Sequence, residues 1–187
     1  VSRLNSLPRG LALAALVLAA PAAFTRDNTY PTVDRVLYVQ EDIADKVITM
    51  LKGAMAELKM ADPGLLSTDV GPVIDVASHK VLTDHAQRMD KEAKLIGEVS
   101  RSEGTEHGTF FAPRAYEIPR LDILHKEVFG PILHVLRWKA DELDKVIDAI
   151  NATGYGLTLG IHSRINDTVD HSVKRAKVGN CYVNRNQ

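Results

Sequence analysis

Lys126-Glu127-Val128-Phe129-Gly130-Pro131-Ile132-Leu133 joins a chain breaker to the start of an apolar run. Gly130-Pro131 punctuates the chain. Ile132-Leu-His-Val-Leu-Arg-Trp138 then alternates apolar and polar residues, the two-residue period of a strand. Downstream, Asp141 begins a helix that carries Leu143, Val146, Ile147 and Ile150 on one face, and Gly154-Tyr155-Gly156 ends it. Leu157-Thr-Leu-Gly-Ile-His162 reads as the next strand. Asn166 or Asp167 can cap a helix with Val169, Val173 and Ala176. Gly179-Asn-Cys-Tyr-Val-Asn184 supplies a last strand.

The same alternation extends upstream. Val36-Leu-Tyr-Val39 is a short β-rich run, and Glu41-Asp42 place negative charge at the favourable end of a helix. Ile43, Val47, Ile48, Leu51, Met55 and Leu58 share its apolar face. Asp62-Pro63-Gly64 breaks the chain. A second helix from Ser78 to about Lys91 places Val81, Leu82, His85 and Met89 along one stripe, where His85 reads as a partly buried packing residue rather than a ligand. Lys94-Leu-Ile-Gly-Glu98 and Thr109-Phe-Phe-Ala112 are strand candidates on either side of a polar turn from Arg101 to Gly108. Strands alternating with helices of this length predict an α/β fold, an open and mostly parallel sheet with flanking helices.

The chain has 187 residues, 23 Lys+Arg against 24 Asp+Glu, a net charge of −1, 45% hydrophobic and 25% charged residues. These values describe an ordinary globular chain. Near-neutral charge gives no electrostatic case for nucleic acid. There is no GxGxxG, no GxxxxGK[ST] and no GxSxG. The seven His are scattered without a tight ligand pair, so no metal site is expected. Cys181 is the single thiol, and inside an apolar strand it reads as a small buried hydrophobe.

Residues 1–34 differ from the rest. Arg3 and Arg9 precede the apolar run Leu11 to Ala20, and Pro21-Ala22-Ala23 follows, a signal-like layout too short to span a membrane. We therefore expect two regions: residues 1–34, an unrelated Ala/Leu-rich arm and linker lying outside the sheet as a helix or disordered arm, and residues 35–187, the α/β unit. The expected location is the cytoplasm, the alternative being export through residues 1–23.

Lys126 to Leu133 closely resembles the E-[IV]-F-G-P-[IV]-[LT] motif of the aldehyde dehydrogenase superfamily. Asn151-Ala-Thr-Gly-Tyr-Gly-Leu157 looks like that family's N…YGL segment, and Gly179 to Asn184 like its G…VN strand. Tyr38-Val-Gln-Glu-Asp42, Ser67 to Asp75, Gly108 to Arg114 and Tyr182 to Gln187 resemble one branch, the 1-pyrroline-5-carboxylate dehydrogenase module found in bacterial bifunctional proline utilization A. The resemblance covers residues 35–187 and implies a part of the family's catalytic domain.

It further implies NAD-dependent oxidation of L-glutamate γ-semialdehyde to glutamate, by covalent catalysis through a cysteine thiolate. The family's motif glutamate holds the nicotinamide ribose and its phenylalanine packs near the nicotinamide. These roles carry over to Glu127 and Phe129 as cofactor-binding residues. Without the resemblance, the plainer reading is that Glu127 caps a turn and Phe129 fills the core. Setting the family's pattern on Arg35 puts Pro31 at the position of the catalytic cysteine, so no catalytic residue is assigned here. The dinucleotide-binding domain, general base and oxyanion hole are implied upstream, and the loop gripping the substrate carboxylate downstream. Expected partners are a small aldehyde in the parent enzyme and a missing upstream half or a homo-oligomer. The alternative is a non-catalytic fragment or interaction protein that keeps the fold. Exposed apolar surface and poor solubility follow from an incomplete domain.

Overall fold

The computed structural model describes residues 15–18 and 35–185. Seven strands form one sheet in the order β3-β4-β5-β2-β1-β6-β7: β1 Ala15–Leu18, β2 Val36–Gln40, β3 Lys94–Glu98, β4 Arg114–Glu117, β5 Ile132–Trp138, β6 Thr158–His162 and β7 Asn180–Val183. The helices are α1 Glu41–Glu57, α2 Val76–Glu92, α3 Leu143–Ala152 and α4 Asn166–Arg175. The pairings β4–β5, β5–β2 and β6–β7 are parallel; β1 runs antiparallel to both its neighbours, and β3 antiparallel to β4. The expected α/β class and mostly parallel sheet are what the chain forms.

The two-residue period of β5 distributes its side chains to two layers. Ile132 joins the cluster of Leu82, Ala86 and Met89 from α2. Trp138 joins Val146 and Ile150 from α3 with Leu159 and Ile161 from β6. The intervening Val135 packs with Val39, Ile43, Ala44 and Met55, the β2–α1 side. Strands sandwiched between helical layers bury both faces, which is why β2 and β6 read as nearly continuous apolar runs. Each fully buried aliphatic side chain contributes roughly 1.5–3 kcal/mol.

Local chemistry fixes the helix ends. Gln40 Nε2 donates to Asp42 Oδ2 at 2.8 Å just where α1 starts, and Glu41 and Asp42 fill its first turn. Asp75 caps α2, its Oδ1 accepting from the Ser78 backbone N–H at 2.7 Å.

Four sequence expectations are corrected. The segment expected to lie wholly outside the sheet contributes Ala15–Leu18 as a strand between β2 and β6; the rest of residues 1–34, Pro31 included, lies outside the described residues. The strand expected over Thr109 to Ala112 forms instead at Arg114–Glu117, because Pro113 delays the ladder and Arg114 N–H is the first to bond β5's approach, at the Pro131 carbonyl, 2.9 Å. Asn166 and Asp167 do not cap α4: its N-cap is Ile165, without a side-chain cap bond. Cys181 is half-buried rather than buried, on β7 against the Leu159 cluster.

Several large apolar side chains are open to solvent, among them Met50, Leu66, Ile74 and Val76. Among the described residues no helix is long and apolar enough to cross a membrane.

Candidate functional site

The turn that carries Glu127 and Phe129 is held from three sides. Val128, between them, is buried in the α2 cluster. Pro131 accepts the Arg114 backbone bond from β4. Gly130 has φ +144°, and a Cβ there would lie 2.6–2.7 Å from both Leu82 methyls. Burying Val128 leaves Glu127 half-buried on one side of it and Phe129 exposed, at 47%, on the other. Phe129 therefore does not fill the core.

Glu127 lines a cavity of about 440 Å³ between the segment Leu121 to Glu127 and the C-terminal end of α3. Asp122, His125, Lys126, Thr153 and Tyr155 line it as well. Phe129 does not; it sits two residues on, outside the cavity. The sequence reading singled out Glu127 but missed the opposite wall. The signal was present: Thr153 and Tyr155 belong to the Asn151-to-Leu157 segment. Thr153 Oγ1 donates to the Ile150 carbonyl at 2.6 Å and accepts from Tyr155 N–H at 3.2 Å, which sets the turn at this wall.

Behind the turn, His85 of α2 and His134 of β5 meet edge to face, Nε2 to Nε2 at 3.0 Å, one imidazole donating to the other. Both are buried. Burial holds both neutral, with Arg88 and Lys126 adding to the effect at His85 and the partner imidazole at His134; the values fall to about 4 and about 3. In the unfolded chain both titrate near 6.5. Between these limits the unfolded state binds more protons, so the pair's contribution to stability is present above about pH 7 and falls as pH drops toward 4. Urea midpoints from pH 7 to 4.5 should show this decline, shallower in His134→Leu.

Gly130→Ala should destabilise by roughly 1–3 kcal/mol, since both backbone and Leu82 must give. The check is a chemical-denaturation midpoint against Leu82→Ala/Gly130→Ala, in which the room returns but the backbone strain stays.

Cys181 Sγ is raised by burial, which disfavours the thiolate. It does not line the Glu127 cavity. Among the described residues no group of three or more His, Cys, Asp or Glu is placed to hold a metal.

The second half of the site's frame is a pair of asparagine clasps. Asn151 donates Nδ2 to the Arg175 carbonyl at 3.1 Å and accepts Lys177 N–H at 2.8 Å, tying α3 to the loop after α4. Asn184, at φ 53°, exchanges two bonds with the Ser163 backbone, 3.0 and 2.9 Å. Loss of both should cost about 1–3 kcal/mol in Asn184→Ala, read as a lower melting temperature.

The chain belongs to the aldehyde dehydrogenase family, whose model matches residues 15–187. It is 48% identical over 157 residues to the bifunctional protein PutA of Klebsiella aerogenes, covering 81% of this chain and 12% of that protein. It is 31% identical over 178 residues to the 1-pyrroline-5-carboxylate dehydrogenase of Geobacillus sp. (strain WCH70), covering 94% of this chain and 33% of that one. A crystal structure of a Bradyrhizobium japonicum proline utilization A (PutA) mutant superimposes with a TM-score of 0.76 at 49% identity, over 81% of this chain and 15% of that one. The chain thus spans a third or less of the length of these relatives.

Proposed function

We propose that the chain supplies the cofactor-facing turn of an NAD-dependent dehydrogenase that oxidises L-glutamate γ-semialdehyde (1-pyrroline-5-carboxylate) to glutamate in proline catabolism. The observation that carries this is the joint one: 48% identity to a PutA, with Glu127 and Phe129 on a turn that three separate contacts hold in place.

The residues fit the group. Glu127 offers carboxylate oxygens at a cavity wall, and a carboxylate accepts two hydrogen bonds from a vicinal diol such as a ribose. Phe129 offers a largely open aromatic ring on the same turn, suited to lie near a flat heterocycle. When bound, NAD takes up the hydride lost by the aldehyde. The work of this chain is to bind and orient: Glu127 fixes the sugar, Phe129 limits where the ring can lie, and Gly130 with Val128 keeps both from drifting. The nucleophile, the general base and the oxyanion hole lie outside residues 35–187, with Pro31 standing at the nucleophile's place in the resemblance. The parent enzyme takes a small aldehyde, and residues 35–187 act together with the upstream half of the catalytic unit.

The test is Glu127→Ala in Klebsiella aerogenes PutA whose matching segment is replaced by residues 35–187 of this chain. Losing a charge-assisted hydrogen bond costs about 1.5–3 kcal/mol, so kcat/KM for NAD should fall roughly ten- to a hundredfold. Unchanged NAD kinetics would remove Glu127 from the site. A chimera that folds and docks but never reduces NAD would favour the non-catalytic reading.

A further inference from the structure

We propose that Arg88 is a positioning residue for Glu127. From α2 it clamps the upstream flank of the segment that carries the turn, and so sets where the carboxylate meets a bound dinucleotide. This deepens the functional reading above and rests on it for what Glu127 binds, though not for the clamp itself.

The segment that carries Glu127 enters the core at Ile123 and at Val128, both buried in the cluster that Leu82, Ala86 and Met89 of α2 form. His125 and Lys126, between those two anchors, are exposed. The direction of the Glu127 side chain therefore follows from where the two flanks are held. Leu82 beside Gly130 and His85 against His134 hold the downstream flank. The upstream flank arrives through a single tight turn, Leu121–Ile123, closed by the Leu124 N–H on the Leu121 carbonyl at 3.0 Å. That closure leaves the Ile123 carbonyl for a donor from outside the turn.

Arg88 is that donor. It follows Leu82 and His85 at three-residue spacing, so the three line one side of α2 along the segment. Its Nη1 donates to the Ile123 carbonyl at 2.8 Å and to Glu92 Oε2 at 2.6 Å. One nitrogen thus uses both its hydrogens, one on the segment and one on a carboxylate a helical turn further along α2. Glu92 keeps the guanidinium from swinging away, and a charged donor binds a carbonyl more strongly than a neutral one. A second pair on the same helix, Lys80 with Asp84, has the same spacing, but its hydrogen bonds stay within α2. Arg88 differs from it by reaching across to the strand-bearing side. A displacement of about 1 Å at a binding group can cost up to about a hundredfold in rate, so a clamp four residues from Glu127 has a measurable consequence.

The test uses the Klebsiella aerogenes PutA chimera that carries residues 35–187, together with the full 187-residue chain. In the chimera, Arg88→Met keeps the stem and removes the donors. Its kcat/KM for NAD should fall roughly three- to tenfold, Arg88→Lys should recover part of that loss, and Lys80→Met should leave NAD kinetics unchanged. Because Arg88 acts through Glu127, adding Arg88→Met to Glu127→Ala should cause no further fall. A full further fall, or an equal effect of Lys80→Met, would make Arg88 a general support of the helix and overturn the proposal. So would unchanged NAD kinetics in Arg88→Met where Glu127→Ala lowers them. If Glu127→Ala also changes nothing, the functional reading fails, and amide hydrogen exchange in the 187-residue chain decides the clamp separately. Leu124 to Glu127 should then exchange at least about tenfold faster in Arg88→Met, with β5 unaltered. Unchanged exchange there, or an equal rise over β5, would overturn the clamp as well.

Discussion

Expressed as residues 1–187, the chain is expected to form no NADH from glutamate γ-semialdehyde, and Pro31→Cys is expected to leave it inactive. Covalent aldehyde oxidation needs a thiolate, donors aimed at the developing oxyanion and a positioned hydride acceptor. The only thiol in the sequence is Cys181. It sits on β7 against Leu159 and Ile161, its thiol raised by burial and apart from the Glu127 cavity. Loss of a nucleophile alone removes about six orders of magnitude in kcat, and a new cysteine at position 31 restores none of the other supports. The assay is absorbance of NADH with purified wild type, Pro31→Cys and Cys181→Ser. Turnover by the wild type that disappears in Cys181→Ser would make Cys181 the nucleophile and overturn the reading.

The largest structural effect is expected at Gly156. A Cβ there would overlap the Lys177 carbonyl oxygen, a backbone atom. The crossing is tight because Gly179 N–H donates to the Gly156 carbonyl at 2.6 Å and Asn180 N–H to that of Leu157 at 3.0 Å. A flexible side chain can turn away from a new methyl, but a carbonyl held in this way can move only with the strand that follows it, β7. Gly156→Ala should therefore cost about 3 kcal/mol or more, lowering Tm by roughly 6–12 °C for a chain of this size. Gly53→Ala on the open side of α1, where a Cβ meets nothing within 4 Å, is the matched control and should be neutral or slightly stabilising. Equal melting temperatures for the two variants would contradict the crossing.

Much of this architecture is legible in the residues. Val36 to Val39, Ile132 to Trp138 and Leu157 to His162 form strands within a residue of where their apolar runs place them, because both faces are covered and the pattern is strong. The shift from Thr109 to Arg114 shows where pattern reading stops. Thr109-Phe-Phe has strand-like side chains, but Thr109 hydrogen-bonds the Val73 backbone instead, its carbonyl accepting from the Val73 N–H and its hydroxyl donating to the Val73 carbonyl, roles that composition does not reveal. β1 is the sharper lesson. Ala-Leu-Val-Leu carries no amphipathic period, so helix, signal segment and buried strand look alike until a slot in the tertiary structure decides between them.

The site was legible in part. Glu127 came from the resemblance, not from any local period, and the sequence alone favoured a cap for it and a core place for Phe129. The cavity wall from Thr153 and Tyr155 lay hidden because it forms only when α3 packs across the segment before β5. The His85–His134 contact joins residues 49 positions apart, and no spacing rule links them.

The central claim is tested most directly by NADH formation from glutamate γ-semialdehyde in the chimera of Klebsiella aerogenes PutA carrying residues 35–187 of this chain. The account predicts activity within about tenfold of the parent, a loss of ten- to a hundredfold in kcat/KM for NAD on Glu127→Ala, and little change on Cys181→Ser. A folded chimera without activity, or one indifferent to Glu127, would contradict it.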